Sequence, residues 1–176
     1  AGGHGDPELV PSLPQRGPHE TGDPAGELHD VDGGDDGRSL VREVEEALDG
    51  LPEFTCRPGT GPHLRGAISI SPSVDYMERA YDQAKYGEFS SRPYIDMVIP
   101  SLTDPSVAPP GKHVMSCFVQ YAPYALRSGT WDEQRDRFGD AVIDTIAEFA
   151  PNIRKIILHR QVLTPLDLER EFGLTE

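Results

Sequence analysis

Three histidines, His63, His113 and His159, carry the side chains best suited to general acid–base chemistry in the domain-like part of this sequence. Imidazole takes up and releases protons near neutral pH, so a histidine beside a reacting group can act as a general base. Each of the three stands at the edge of an expected strand. A solvated or hydrogen-bonded structural role is the more frequent use of such a histidine, and a general base or substrate contact is the alternative. No residue fits the pattern of a nucleophile or of a paired acid and base, so the catalytic residues stay unassigned.

The cysteines and the acidic runs offer no metal site by their spacing. Cys56 and Cys117 stand far apart in the chain, which fits neither a zinc-ligand cluster nor a redox-active CxxC motif. We expect two reduced thiols, because a disulfide between them would need an oxidising compartment. The run from Asp30 to Gly37 superficially resembles a calcium loop, but it lacks the closing glutamate and the flanking helices. The sequence therefore predicts no bound metal.

Nucleotide cofactors are usually held by a glycine-rich loop that joins a strand to a helix, and the sequence contains no such fingerprint. Gly59-Thr60-Gly61 is the nearest candidate. It follows an irregular segment and precedes Pro62, which has no backbone N–H to offer a phosphate. HExxH, GxSxG and P-loop motifs are missing as well. No cofactor-binding residue is predicted.

Hydrophobic periodicity predicts the helices and strands that would position these side chains. Helices are expected from Ser39 to Gly50, with Leu40, Val41, Val44 and Leu48 on one face, and at residues 73–87, 130–151 and 164–173. Strands are expected at residues 63–71, 94–99, 113–121 and 153–162. The strand at 113–121 is apolar nearly throughout, which is typical of burial on both faces, and we expect it to pair antiparallel with 94–99. The fold class is α+β: a mixed or antiparallel sheet with helices on one side, preceded by a disordered acidic segment.

Composition divides the chain into two parts. Residues 1–37 contain nine glycines and five prolines with almost nothing apolar to bury, so we predict disorder at 1–37 and a domain at 38–176. Residues 1–50 hold thirteen acidic side chains against three arginines, and the whole chain carries a net charge of −14. This acidity disfavours nucleic acid and anionic membranes as partners. No apolar run is long enough to span a membrane and no secretory leader opens the sequence, so a cytoplasmic location is expected.

Several motifs occur in an order that resembles a known enzyme family. They are Phe54-Thr55-Cys56, residues 64–73, Ile99-Pro100-Ser101, residues 104–106 and 108–114, Gln120-Tyr121-Ala122-Pro123-Tyr124, Trp131-Asp132, Ala150-Pro151 and residues 163–169. Their order and spacing resemble the substrate-domain region of the phytoene-dehydrogenase-like, FAD-dependent oxidoreductases. Within that family the chain is most similar to the pyridine nucleotide-disulfide oxidoreductase domain-containing protein 2 group. The resemblance covers about residues 51–176.

The resemblance implies that the chain is a fragment of a larger flavoprotein, related to amine oxidases. In such a protein a preceding glycine-rich half and a following segment hold FAD, which takes hydride from an apolar or amine-type substrate. Residues 38–176 would be a partial substrate-binding domain, with Gln120, Tyr121 and Tyr124 as the substrate-binding positions. Core packing is the more frequent use of such residues and the alternative for these tyrosines, as for Trp131, Phe138 and Phe149, which could also line an apolar cavity. Because this chain lacks both flavin-binding parts, we expect it alone to bind no FAD and to be inactive.

Other interpretations remain open at this stage. Residues 1–37 do not resemble the family's preceding region, so they are either a divergent insertion or the product of another reading frame or gene boundary. The chain as a whole could instead be a non-catalytic module that binds an apolar ligand or a protein, or an interaction protein kept soluble by its acidic segment. A fragment would also expose apolar surface and self-associate. Neither the substrate nor the electron acceptor is specified by the sequence.

Overall fold

A computed structural model describes residues 42–174, which fall within one compact unit. The residues of the expected disordered segment and of the helix start at Ser39 lie outside this range. The strands are β1 (Arg42–Leu48), β2 (Ile68–Ile70), β3 (Tyr94–Val98), β4 (His113–Gln120) and β5 (Ile157–Leu163), and the helices are α1 (Val74–Lys85), α2 (Trp131–Phe149), α3 (Ile153–Ile156) and α4 (Pro165–Phe172). Short 3-10 turns occupy Pro62–Leu64, Pro100–Leu102 and Pro105–Val107. The α+β prediction is confirmed.

The five strands form one sheet in the order β2-β3-β4-β1-β5, and every neighbouring pair in it is antiparallel. The expected pairing of β3 with β4 is confirmed, with Ile95 opposite Val119. Buried residues alternate along the strands, so that one face of the sheet packs against α2 and the other carries half-buried or exposed side chains. We call these the core face and the outer face.

The helix expected from Ser39 to Gly50 is wrong over the described residues, because Arg42–Leu48 form a strand in the interior of the sheet. Val44 and Leu48 are four residues apart, a spacing that places them on one face of a helix and equally on one face of a strand. Between them, Glu46 also points to the core face and is buried. Because Glu46 is charged, the sequence does not show the alternation of apolar and polar residues that indicates a strand.

Two further expectations about strands need correction. The expected strand at 63–71 shrinks to β2, because Pro62 begins a 3-10 turn and the chain pairs with β3 only at Ile68–Ile70. The segment 153–162 opens with the short helix α3 before β5 begins. Strand β4 is buried on its core face only, since Phe118 on the outer face is 39% exposed.

The helix starts follow their capping residues. Ser73 accepts a hydrogen bond from the backbone N–H of Tyr76 at 3.1 Å at the start of α1, and Thr130 forms a capping box with Glu133 at the start of α2. Thr164 caps α4 in the same way. The spacing of Val74, Met77, Ala80, Tyr81 and Ala84 predicts the apolar face of α1. In the structure Tyr76, Ala80 and Ala84 are buried, whereas Val74 is 76% exposed.

The core is built from the inner faces of the sheet and of α2. Trp131, Phe138, Val142 and Ile146 of α2 are buried together with the core-face residues of the four longest strands. The edge-to-face contact of Trp131 with Phe138, with ring centroids 5.5 Å apart, confirms the core interpretation of these two aromatic residues. Among the described residues, α2 therefore covers the core face, and the outer face carries half-buried or exposed side chains.

Candidate functional site

The outer face carries a row of polar side chains fixed by hydrogen bonds across strands. Asp96 of β3 accepts hydrogen bonds from the hydroxyls of Tyr94 and of Ser69, which lies opposite it on β2. The hydrogen bond to Asp96 is the largest cause of a raised pKa at Tyr94, because the phenol must keep its proton to donate. On the next strands, Ser116 donates to a carboxylate oxygen of Glu45 at 2.6 Å.

Apolar side chains lie among these polar groups. Phe118 stands directly opposite Asp96 across the β3–β4 pair, and Val98 stands opposite Ser116. Both are exposed, at 39% for Phe118 and 42% for Val98. The outer face thus combines acceptors in defined orientations with apolar contact area.

The three residues predicted to bind substrate lie at the end of β4 but face different neighbours. Gln120 ends the strand opposite Tyr94, on the outer face. The Tyr121 ring makes an edge contact with Tyr81 of α1, with centroids 5.4 Å apart, and its carbonyl accepts from the N–H of Ser90 at 2.9 Å.

Tyr124, the third of these residues, is tied to the helices. Its hydroxyl donates to Glu169 of α4, and its carbonyl accepts from the indole N–H of Trp131 at 3.0 Å. Gln120 is therefore the one of the three placed on the outer face, and the role of all three in binding substrate stays a prediction.

The three candidate histidines are not brought together. His113 begins β4 and its Nδ1 lies 3.0 Å from the Ser101 hydroxyl. His159 lies within β5 opposite Ala47 and is exposed. His63 sits in a 3-10 turn, where both ring nitrogens are buried and neither has a hydrogen-bond partner among the described residues. No pair of them forms an acid–base couple.

A buried carboxyl that the sequence reasoning missed lies in the middle of the core face. Glu46 of β1 is 1% exposed, and neither of its carboxylate oxygens has a hydrogen-bond partner in the described part of the chain. Burial raises the pKa of Glu46 from 4.5 to about 8, against the opposing pull of the Arg160 guanidinium across the β1–β5 pair. The signal available in the sequence was a charged residue at the centre of the alternating set Val44, Glu46, Leu48.

Arg160 turns away from Glu46 towards α2. It donates to Asp140 at 2.9 Å and reaches Asp136 at 4.0 Å. Its side chain crosses the helix at Gly139, where an added Cβ would lie 2.7 Å from the guanidinium carbon. The Cys117 thiol has a raised pKa, chiefly through burial and also through Glu46, so it is held as the unreactive thiol.

Two pockets flank β2 and α1. A cleft of about 680 Å³ runs along α1 past Ser90, Ser91 and Arg92. A second pocket of about 320 Å³ lies beside edge strand β2 and is mostly apolar. Neither is lined by Gln120, Tyr121 or Tyr124.

The described residues do not fit the pyrophosphate of FAD. Strand β2 leads directly into α1, but Pro72 and a serine cap occupy the turn, and Asp75 places a negative charge in the first helical turn. Strand β5 leads into α4 with Asp167 in the corresponding place. A helix N-terminus attracts phosphate when its N–H groups are free and no acid competes, so neither junction is suitable.

Cys56 is an exposed thiol, and neither cysteine forms a disulfide. Residues 42–174 contain no group of three or more His, Cys, Asp or Glu side chains arranged to hold a metal ion. Within the same range, no helix has the length and the apolar character needed to cross a bilayer.

Comparison with known proteins finds relatives with a shared name. The chain is 42% identical over 147 residues to the rat (Rattus norvegicus) pyridine nucleotide-disulfide oxidoreductase domain-containing protein 2, and 40% identical over 147 residues to the mouse (Mus musculus) protein of that name. Each match covers 79% of this chain and 25% of the relative, so the chain spans about a quarter of the length of the curated relatives it matches. No protein-family model matches the sequence. These relatives support the subgroup that the sequence motifs indicated.

Proposed function

We propose that this chain is a fragment of the substrate domain of a flavin-dependent, phytoene-dehydrogenase-like oxidoreductase. The observation that carries the proposal is its similarity, over most of its length, to the rat and mouse oxidoreductase-domain proteins. The longer enzyme would pass hydride from an apolar or amine-type substrate to FAD, held by parts that this chain does not contain. FAD supplies the redox chemistry in such enzymes, and the protein supplies orientation and a dry cavity.

The outer face is the part of the chain that we assign to the substrate cavity. Helices pack on the core face, so the outer face is the side available to a second domain and to a ligand enclosed with it. Phe118 and Val98 would contact the apolar part of the substrate. Asp96 and Glu45, held in place by hydroxyl donors, would accept hydrogen bonds from an amine. Gln120 would contact substrate at the end of the same face.

The first experiment is to sequence the DNA on both sides of the coding segment and to express the longest continuous frame that contains it. We expect that product to carry a glycine-rich fingerprint and to purify with visible flavin absorbance, and the 176-residue chain to purify without it. A longer frame that binds no flavin would refute the proposal.

The longer product then tests the outer face. Phe118→Ala should raise KM by about tenfold and leave the flavin content unchanged, because a large apolar contact to substrate is lost. Val74→Ala is the matched control, since Val74 is 76% exposed on α1 and away from the sheet. Equal KM values for the two variants would remove the outer face from the cavity.

A second candidate function is a non-catalytic module that binds a ligand or a protein. The observation that favours it is the continuous core of residues 42–174, in which all five strands contribute buried side chains. A monomeric 176-residue chain with a cooperative unfolding transition would favour the module, whereas self-association through Phe118 and Val98 would favour the fragment.

A further inference from the structure

We propose that the pocket beside β2, which meets the outer face only at Ser69, is a binding site for a small apolar carboxylate. The pocket measures about 320 Å³ and lies between the edge strand and the C-terminal end of α2. Phe54, Phe149, Ile68 and Ile70 supply much of its wall. Small-molecule sites are typically concave and mostly apolar with a few polar groups, and this volume lies at the lower end of their range.

The charge of the lining selects an anion. The chain carries a net charge of −14, yet among residues 42–174 no aspartate or glutamate lines this pocket. Arg57 and His63 are the ionisable nitrogen groups in its described lining, and Ser71 adds a hydroxyl, whereas the Ser69 hydroxyl already donates to Asp96. A carboxylate on an apolar body would pair with the guanidinium, which presents two parallel N–H donors to such a group.

His63 supplies the second, independent observation. Both of its ring nitrogens are buried and lack a hydrogen-bond partner among the described residues. Every protonation state of imidazole carries at least one N–H donor, and a buried donor without an acceptor is costly. The ring lines the pocket, so a rotation that turns one nitrogen towards it would let a carboxylate oxygen accept that hydrogen bond. Gly61 makes room for the ring, since an added Cβ there would stand 3.1 Å from Nδ1.

The larger cleft along α1 lacks this selectivity. It is lined by Asp75 and Asp82 as well as by Arg79 and Arg92. Gln83 already accepts from Ser90 at 3.1 Å and from the Ser91 backbone at 2.9 Å, so its carbonyl oxygen is engaged within the protein. Mixed charge and satisfied polar groups give no preference for a ligand class there.

Cys56 makes the pocket measurable, because it is an exposed thiol on the pocket lining while Cys117 is fully buried. The 176-residue chain is incubated with iodoacetamide and sodium octanoate, and mass spectrometry follows each cysteine. At an octanoate concentration about ten times Kd, we expect alkylation of Cys56 to slow by about tenfold. Octan-1-ol and octylammonium, which have the same chain without the carboxylate, should protect Cys56 much less.

Substitutions separate the headgroup contact from general adsorption. Arg57→Gln should weaken octanoate binding by about tenfold and leave octan-1-ol binding unchanged, because only the carboxylate loses a charged partner. Arg154→Gln is the matched control, an exposed arginine on α3 that pairs with Asp144 outside the pocket. His63→Phe should weaken octanoate binding as well, while keeping a ring of similar size.

Three results would overturn the proposal. The first is protection of Cys56 that does not saturate with octanoate. The second is equal protection by octanoate and octylammonium, which would show that the carboxylate is not selected. The third is alkylation of Cys117 on adding octanoate, which would show that the compound unfolds the chain. Flavin content is not measured in any of these arms, so failure here is distinguishable from failure of the oxidoreductase proposal.

Discussion

Replacing Glu46 by glutamine should change how the stability of the chain depends on pH. The carboxyl is 1% exposed with both oxygens unpartnered, and burial raises its pKa from 4.5 to about 8. In the unfolded chain the same group ionises near its ordinary pKa. Between those two values the folded state holds a proton that the unfolded state has released, so folding becomes less favourable as the pH rises.

The magnitude follows from the interval between the two pKa values. Each pH unit within it costs about 1.36 kcal/mol. From about pH 5 to about pH 8 the wild type should therefore lose about 4 kcal/mol of unfolding free energy through this group. The stability that protonated Glu46 contributes is fully present below the pKa of the group in the unfolded chain. It is lost once the pH has risen through the pKa of the group in the folded chain. In Glu46→Gln this loss disappears, because the amide does not titrate.

Urea denaturation monitored by Trp131 fluorescence measures the effect, since Trp131 is the only tryptophan of the chain and is buried. The informative quantity is the difference in unfolding free energy between wild type and Glu46→Gln, plotted against pH. The cost of burying the amide is the same at every pH, so it does not affect the slope of that plot. Glu43→Gln is the control, since Glu43 lies on the outer face of the same strand and is half-buried. A difference between wild type and Glu46→Gln that stays flat to within about 1 kcal/mol from about pH 5 to about pH 8 would refute the buried-carboxyl account.

Three other changes follow from the described contacts. Gly139→Ala should lower the free energy of unfolding by about 1–2 kcal/mol in urea, because the new Cβ would stand 2.8 Å from a Val162 methyl and 2.7 Å from the Arg160 guanidinium carbon, a clash larger than the about 1 kcal/mol that alanine gains over glycine in a helix; a variant more stable than the wild type would contradict the close crossing. Burial alone would raise the pKa of Asp167, but hydrogen bonds, led by the one from Arg135, lower this pKa overall. The ionised carboxylate therefore stabilises the fold above the pKa that Asp167 has in the unfolded chain, and this stabilisation is lost as the pH falls. Asp167→Asn should accordingly flatten the acid side of the stability profile followed by circular dichroism, and an unchanged acid side would count against the ion pair. Ser73→Ala should cost about 1 kcal/mol in thermal melts by removing the cap of α1, while Ser73→Asp should retain it, and equal losses would argue against capping.

Local signals predicted much of the fold. The caps at Ser73, Thr130 and Thr164 marked three helix starts correctly, because a side-chain acceptor at that position satisfies N–H groups that the helix itself leaves free. The pairing of β3 with β4 also followed from two apolar segments joined by a short, turn-rich connection. The caps depend on residues within a few positions of one another, and the β3–β4 pairing depends on two strands that follow each other along the chain.

The features that the sequence could not predict depend on distant partners. Strand β1 becomes a strand because β4 and β5 pair with it on both sides, and neither is near it in sequence. The one signal for Glu46 was its place between Val44 and Leu48 in an alternating set, and it indicates burial only once the segment is known to be a strand, since a carboxylate is rarely placed on a core face. The pocket beside β2 brings Cys56 and His63 together with Phe149, which lies much later in the chain. Nothing in the spacing of those residues indicates that they share a cavity.

Each face of the sheet carries one side chain in an unfavourable environment: Glu46 is a carboxyl in the apolar core, and Phe118 is an aromatic ring exposed to water. Different changes would relieve the two. Phe118 is an exposed aromatic on the outer face, so a second domain packed there would remove its contact with water. Glu46 is already enclosed by the core, so no covering domain can reach it, and only a proton relieves its charge. The stability of the sheet should therefore depend on pH in the 176-residue chain and in any longer protein alike, whereas the exposure of Phe118 should disappear in the longer one. A longer protein whose Phe118 stays exposed would be inconsistent with the outer face as the wall of an enclosed cavity.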